Sequence, residues 1–321
     1  MCRRPKFPKL GLIAILVLCL FVPVTTSSAG SMTGHAPDSA APNYDSSRIV
    51  SIGGSITEIL YALGLQQHVI AVDTTSLYPP SALKEKPNVG YMRQLSAEGV
   101  LGLSPTLILA IEGSGPHETI EVLERAKVPF IVIPDKFSAD GVIDKIRIIS
   151  ADVGVPQRGE CLANSVRRDM TALATRRNEI SQQVKVAFVL SLANGRPVVA
   201  GEGTAADGII SMAGGRNAFD HLEGYKPVND EAIVAARPDA VLVMDRGEHA
   251  LSADTVFSEP GLGMTPAAEH KTLISMDGLY LLGFGPRTVR AARDLALRLY
   301  PRIAREELPS EQSSSALTCD R

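Results

Sequence analysis

Short apolar runs alternate with helix-like segments along most of this chain. The runs at 48–52, 69–72 and 106–110 are bounded by glycine, proline or polar residues, and helix-like segments follow them. Strands that alternate with helices in this way form parallel sheets covered by helices. The alternation begins again after residue 184. We therefore predict an α/β fold with two Rossmann-like lobes.

One long helical pattern separates the two alternations. It runs from Pro156 to about residue 183 without a further proline, which predicts a helix of about 40 Å. We assign 48–155 to an N-terminal lobe, 156–183 to a single connecting helix and 184–305 to a C-terminal lobe. The ligand site is expected in the cleft between the lobes, where loops at the carboxyl ends of the strands converge.

Both ends of the chain lie outside this pattern. Basic residues precede an apolar run at 10–22 that is too short to span a bilayer comfortably, and small residues lead to Ala29. We predict that 1–29 is a signal peptide, cleaved from a periplasmic protein. Residues 30–47 and 306–321 are rich in small and polar residues, which predicts a disordered leader and a disordered tail.

The mature chain is acidic. The whole chain has 32 basic and 35 acidic residues, and the predicted signal peptide holds four of the basic ones and none of the acidic ones, which leaves a net charge of −7. This sign argues against nucleic acid as a partner, and we expect a monomer. Cys161 and Cys319 could pair in an oxidising compartment, but we expect them to stay unpaired because Cys319 lies in the polar tail.

Signatures of catalysis and of nucleotide binding are missing from the sequence. The glycine-rich turns lack a following Lys-Ser/Thr and the Gly-x-Gly-x-x-Gly spacing, and neither Gly-x-Ser-x-Gly nor His-Glu-x-x-His occurs. An exported pair of α/β lobes without such a signature favours a binding protein over an enzyme. An exported hydrolase or metalloenzyme is the alternative from another class.

One local pattern occurs once in each predicted lobe. Glu98 lies seven residues before Pro105, and Glu231 lies seven residues before Pro238, each on a short helical segment with an apolar strand after it. We expect the two glutamates to hold matching positions in related lobes. The alternative is a purely local role, since a carboxylate in the first turn offsets the helix dipole.

Two further patterns are interpreted as local structure. Ser55 and Glu58 have the spacing of a capping box at the start of a helix. Four arginines near the end of the second lobe suggest a solvated helix face: Arg287, Arg290, Arg293 and Arg298.

The stretch Gly90-Tyr91-Met92-Arg93 is the candidate site. If it is extended, Tyr91 and Arg93 lie on one face, and Ser96 can cap the short helix that follows. A guanidinium near a phenol favours the phenolate, which is a ligand for ferric iron. The alternative is that Tyr91 packs at a lobe edge and Arg93 is solvated.

These residues are similar to those of a known family. The chain from Arg48 to about Tyr300 resembles the periplasmic haem-binding components of bacterial ABC importers, within the cluster that also binds siderophores and vitamin B12. The resemblance rests on the following motifs: Arg48-Ile-Val-Ser-Ile-Gly-Gly-Ser-Ile-Thr-Glu-Ile, Val89-Gly-Tyr-Met-Arg93, Leu95-Ser-Ala-Glu98-Gly, Ala205-Ala-Asp, Ala213-Gly-Gly-Arg-Asn-Ala and Leu281-Leu-Gly-Phe-Gly.

The resemblance implies a function and roles for single residues. Ferric haem would be the transported ligand, with Tyr91 as its axial ligand and Arg93 assisting the phenolate or the haem. Glu98 and Glu231 would dock onto an inner-membrane permease that works with an ATPase, and an outer-membrane haem receptor system could act upstream. Arg246 could meet a haem propionate, since guanidinium matches carboxylate.

The sequence departs from the family pattern at one place. Some members have a histidine after the first strand of the second lobe as a further iron ligand, and Leu192 stands there in this chain. We therefore expect five-coordinate iron and do not expect two stacked haems. His117 and His249 remain open as alternative ligands. A ferric siderophore or a corrinoid is the alternative cargo for the same fold.

Overall fold

The N-terminal lobe is a parallel sheet between helices. The computed structural model describes residues 44–177, 180–192, 196–245 and 251–301, all within one compact unit, Ala40–Arg321. The elements are β1 (Ile49–Ile52), α1 (Gly54–Ala62), β2 (Val69–Val72), α2 (Ser81–Glu85), α3 (Ala97–Leu101), β3 (Leu107–Ile111), α4 (His117–Glu124), β4 (Phe130–Ile133) and α5 (Ala139–Asp152). The strands form the order β2-β1-β3-β4 with parallel neighbours.

Helices cover both faces of this sheet. Side chains of α1 and α5 pack on one face, and side chains of α3 and α4 pack on the other. All five residues of β3 are therefore buried, which explains why this strand is a continuous apolar run in the sequence. The carboxyl ends of the strands are left open to the loops that carry the candidate site.

The C-terminal lobe contains a mixed sheet. The elements are β5 (Lys185–Ser191), β6 (Val198–Ala200), α7 (Ala205–Met212), β7 (Arg216–Asn217), β8 (Tyr225–Pro227), α8 (Asp230–Ala236), β9 (Ala240–Asp245), α9 (Ala253–Phe257), α10 (Pro260–Gly263), α11 (Pro266–Glu269), β10 (Leu273–Asp277), α12 (Gly278–Leu282) and α13 (Thr288–Leu299). β5, β9 and β10 are parallel, whereas β6 and β8 pair antiparallel, in the order β10-β9-β5-β6-β8 with β7 beside β5. The α/β class is confirmed.

One long helix, α6 (Pro156–Arg177), lies between the lobes in the sequence. It packs along α5 and contacts α13, so it touches both lobes. It is shorter than the predicted connector, because residues 180–184 are not helical.

Cys161 on this helix is disulfide-bonded, so the expectation of an unpaired Cys161 is wrong; Cys319 lies outside the described residues. Across the described ranges, no helix combines the length and apolarity needed to cross a membrane.

A group of three side chains, which we call the interlobe latch, joins the lobes: Glu58, Tyr78 and Arg287. Glu58 on α1 accepts hydrogen bonds from the backbone N–H of Arg287 at 2.9 Å and from its Nη2 at 3.0 Å. The Arg287 guanidinium carbon lies 3.5 Å from the centroid of the Tyr78 ring. The side chains of Glu58 and Arg287 are only 6% and 22% exposed.

The latch corrects two local interpretations. Helix α1 begins after Gly53, and no side chain caps it, so Ser55 and Glu58 do not form a capping box. Glu58 instead binds an arginine of the other lobe. Arg287 is therefore not part of a solvated helix face.

A second buried charge also reaches across the lobes. Lys145 is wholly buried, and its ammonium donates to Asp135 in its own lobe and to the backbone carbonyl of Phe284 at 3.2 Å in the other. Burial lowers the pKa of Lys145, and the Asp135 carboxylate opposes that change. The N-terminal lobe thus contacts the segment before α13 through two charged groups, Lys145 and Glu58.

Candidate functional site

Tyr91 and Arg93 lie on a tight turn. The N–H of Gln94 donates to the carbonyl of Tyr91 at 2.7 Å, so the stretch is not extended and the alternating-face argument does not apply to it. Gly90 precedes the turn with a φ of 94°, a conformation that glycine adopts at little cost. The Tyr91 side chain is 41% exposed, and Arg93 is exposed as well.

Hydrogen bonds fix this turn to two neighbouring loops. The N–H of Thr74 donates to Gly90 O at 2.9 Å, and the N–H of Gly115 donates to Met92 O at 2.9 Å. Leu95 N–H in turn donates to Gly115 O at 2.9 Å. Because Thr74 follows β2 and Gly115 follows β3, the turn lies at the carboxyl edge of the N-terminal sheet, where ligands bind in open α/β sheets.

A buried carboxylate, Asp73, holds the adjoining loops together. Its Oδ1 accepts from the N–H of Gly53 at 2.9 Å, and its Oδ2 accepts from the N–H of Thr75 at 3.0 Å and from the Thr75 hydroxyl at 2.8 Å. Asp73 therefore ties the turn between β1 and α1 to the loop after β2. Thr74, which supports Gly90, belongs to that loop.

The C-terminal lobe also has a partly exposed phenol, that of Tyr225. Tyr225 on β8 is 38% exposed. Burial raises the pKa of Tyr225, and nearby hydrogen-bonding groups and the positive charge of Arg93 oppose that rise. Tyr225 was not singled out from the sequence, because a tyrosine on a short strand has the same pattern as a tyrosine that only packs.

The other candidate ligands are dispersed. His117 begins α4, is 83% exposed and pairs with Glu121 at 3.2 Å. Leu192 packs against the apolar cluster of the C-terminal lobe. Arg246 and His249 lie outside the described residues. Within the part of the chain that the structure describes, no group of three or more His, Cys, Asp or Glu side chains is placed to hold a metal ion.

The two glutamates of the repeated pattern occupy matching positions. Glu98 lies in the first turn of α3, which Ser96 caps by accepting from Gly99 N–H at 3.3 Å. Glu231 lies in the first turn of α8, which Asn229 caps by accepting from Ala232 N–H at 3.0 Å. Both glutamates are exposed.

The match continues beyond these helices. The residues before the paired prolines, Ser104 and Arg237, have φ angles of 52° and 49°, and non-glycine residues seldom adopt this conformation. The same unusual backbone at both places supports the interpretation that the two lobes are related.

These features define a class of protein. Two α/β lobes are joined by a long helix and by direct contacts such as that between Glu58 and Arg287, as in bilobal ligand-binding proteins. The chain belongs to the periplasmic binding protein family, whose model matches residues 49–279. It is a substrate-binding protein of an ABC importer, which implies an inner-membrane permease and an ATPase as partners.

Known relatives cover most of the chain. The structure of the periplasmic haem-binding protein RhuT from Roseiflexus sp. RS-1, in apo form, is 42% identical with a TM-score of 0.75, over 80% of this chain and 98% of that one. The structure of the periplasmic haem-binding protein BhuT in complex with two haems is 37% identical with a TM-score of 0.76, over 80% and 98%. A vitamin B12-binding protein of Vibrio parahaemolyticus is 26% identical over 85% of this chain and 93% of its own length. These relatives are binding proteins, not enzymes.

Proposed function

We propose that this protein captures ferric haem through the phenolate of Tyr91 and delivers it to the inner-membrane permease. The observation that carries the proposal is the position of Tyr91, which is 41% exposed on a hydrogen-bonded turn at the carboxyl edge of the N-terminal sheet. The similarity to haem-binding structures at 42% and 37% identity supports haem as the cargo.

The chemistry of the turn suits ferric iron. Phenolate oxygen is a known axial ligand of haem iron, and Arg93 lies two residues further along the same turn. On the other lobe the hydrocarbon side chain of Leu192, which cannot ligate iron, stands where the resemblance places a histidine in some members of the haem-binding family. We therefore propose five-coordinate iron and one haem for each protein.

Delivery would use the two exposed glutamates. Glu98 and Glu231 project one carboxylate from each lobe, which fits docking onto basic side chains of the permease. Arg246 would pair with a haem propionate, because a guanidinium matches a carboxylate in charge and hydrogen-bonding geometry. We also propose that 1–29 is cleaved, that the mature protein acts as a monomer in the periplasm, and that an outer-membrane haem receptor system supplies the cargo.

A visible absorption titration tests the ligand. Residues 30–321 are titrated with ferric haem beside Tyr91→Phe, with Tyr44→Phe as a matched control outside the cleft. We expect a saturable spectrum of high-spin tyrosinate type at one equivalent in the wild type and the control, and its loss in Tyr91→Phe.

The other outcomes are equally informative. A wild-type spectrum retained in Tyr91→Phe would disprove the tyrosinate assignment and direct attention to His117 and His249. No saturable binding by the wild type would disprove haem as the cargo.

A corrinoid or a ferric siderophore is the second candidate cargo. The similarity to a vitamin B12-binding protein, at 26% identity over 85% of this chain, favours it. Tyr91 would then line the cleft without bonding to iron, and Tyr91→Ala would weaken binding only modestly. Equilibrium dialysis with cyanocobalamin, and with a ferric siderophore, would show saturable binding in this case.

A further inference from the structure

The start of α1 packs very closely against both lobes at Gly54. A Cβ atom at this position would lie 2.4 Å from the carbonyl oxygen of Thr75 and 2.6 Å from Cδ1 of Leu279, so only glycine permits this approach. Thr75 belongs to the loop after β2, and Leu279 lies on α12 of the C-terminal lobe. The start of α1 therefore contacts the other lobe and also the loop that supports the ligand turn, as we call Gly90–Arg93.

Two polar side chains of α1 strengthen its contact with the C-terminal lobe. Ser55 Oγ accepts from the ammonium of Lys145 at 3.3 Å, and the same ammonium donates to the carbonyl of Phe284 at 3.2 Å. Glu58, about one turn further along α1, binds Arg287. A displacement of the C-terminal lobe would therefore disturb the contacts that α1 makes.

A chain of buried hydroxyl groups connects α1 to Asp73. Thr57 Oγ1 on α1 lies 2.7 Å from Ser51 Oγ on β1 and 2.7 Å from Ser76 Oγ. The Ser76 hydroxyl in turn donates to Asp73 Oδ1 at 3.1 Å. All four residues are wholly buried. Because a buried polar group that loses its partner is costly, these side chains keep or change their arrangement together.

Asp73 lies between the two residues that pair with the segment before the ligand turn. The carbonyl of Val72 accepts from the N–H of Val89 at 2.9 Å, and the N–H of Thr74 donates to Gly90 O at 2.9 Å. That segment thus runs parallel to the end of β2. Because the Asp73 carboxylate fixes the backbone of the loop after β2, it acts on the ligand turn through the backbone.

We propose that Asp73 is a positioning residue that couples the contact between the lobes to the ligand turn, so that the hold of Tyr91 on the haem iron depends on that contact. This inference rests on the proposed function and adds to it a control over affinity. While the lobes are in contact, α1, the hydroxyl chain and Asp73 keep the turn in one conformation. When the contact is weakened, the shared hydrogen bonds rearrange and the turn is held less firmly.

Two variants that preserve shape test the positioning role in titrations with ferric haem. Asp73→Asn places an amide donor among backbone donors, and Thr75→Val removes one hydroxyl from the network. The matched control Thr265→Val removes a buried hydroxyl that caps α11 in the C-terminal lobe. Loss of a group that supports a metal ligand typically lowers affinity about 10–100-fold.

We expect the haem Kd to rise about tenfold in Asp73→Asn and about threefold in Thr75→Val, and to stay unchanged in the control. The share of tyrosinate spectrum at saturation should fall in the same order. A merely structural role would lower Tm and leave Kd and the spectrum at saturation unchanged. That result in both Asp73→Asn and Thr75→Val would overturn the proposal.

A double-mutant cycle tests the coupling. Glu58→Gln weakens the interlobe latch, and we expect it to raise the haem Kd about threefold in the wild type. In the Asp73→Asn background the same change should have an effect of less than about 1.5-fold, because the connection from α1 to the turn is already broken. Equal factors in the two backgrounds would overturn the coupling.

Hydrogen exchange of the ligand-free protein separates this proposal from the proposed function. Asp73→Asn should speed exchange of the Thr74 amide, which donates to the turn, at least about tenfold and leave that of Val241 on β9 unchanged. Equal protection of Thr74 in the wild type and the variant would overturn the positioning role, whatever the ligand. A wild type that binds no haem, together with faster exchange in the variant, would overturn the haem function instead.

Discussion

Removing the charge of Glu58 should weaken the interlobe latch without disturbing either sheet. Glu58→Gln keeps the size of the side chain and one carbonyl acceptor, but it removes the anion that Arg287 binds at 2.9 Å and 3.0 Å. Arg287 then retains its stacking on Tyr78 and loses its ionic partner.

The size of the effect follows from the burial of the pair. Glu58 and Arg287 are 6% and 22% exposed. Loss of one member of a fully buried pair costs about 3–5 kcal/mol. Because Arg287 keeps some contact with water, we expect Glu58→Gln to lower the free energy of unfolding by about 2 kcal/mol. At two to four degrees per kcal/mol for a chain of this size, Tm should fall by about 4–8 °C.

A double-mutant cycle isolates the interaction. Glu58→Gln, Arg287→Met and the double variant are unfolded in urea at pH 7, and we expect a coupling energy above about 1 kcal/mol. The exposed pair Arg216–Asp220, at 2.9 Å with side chains 58% and 44% exposed, is the matched control and should couple by less than about 0.5 kcal/mol. If the latch couples no more strongly than this surface pair, the assignment of a buried interlobe interaction is refuted.

Two further predictions concern Asp152 and the repeated glutamates. Burial raises the pKa of Asp152 to about 6 from 3.8, so ionisation of this carboxyl destabilises the folded protein more and more as pH rises through this interval. The free energy of unfolding in urea should therefore be the same for Asp152→Asn and the wild type near pH 4. At pH 7.5 it should be higher for Asp152→Asn by about 1–2 kcal/mol. Equal stabilities at both pH values would contradict this. Glu98→Lys combined with Glu231→Lys should leave haem titration unchanged and abolish haem-dependent growth; normal growth would rule out docking through these residues.

Much of the fold and part of the candidate site could be predicted from local sequence patterns. Runs of four or five apolar residues followed by helix signals identified β1, β2 and β3, because a strand buried on both faces has apolar residues throughout. The cap at Ser96 was predicted, since an N-cap depends on groups two or three residues away. The paired glutamates were likewise found from one spacing that recurs.

Contacts between distant residues could not be predicted in this way. Glu58 and Arg287 are 229 residues apart, and helical periodicity places Arg287 on a face without indicating what covers that face. The conformation around Tyr91 was also missed, because the positive φ of Gly90 and the hydrogen bonds from Thr74 and Gly115 decide between a turn and a strand.

The hydrogen bonds around Asp73 have a consequence for the entropy of binding. The amides of Gly53 and Thr75 and the loop that supports Gly90 are already held in one arrangement by a buried carboxylate. The conformational entropy of these loops is therefore lost when the chain folds, and little more is lost when a ligand arrives. A cleft edge prepared in this way can bind tightly with few contacts, because nearly all of the interaction energy remains available for affinity.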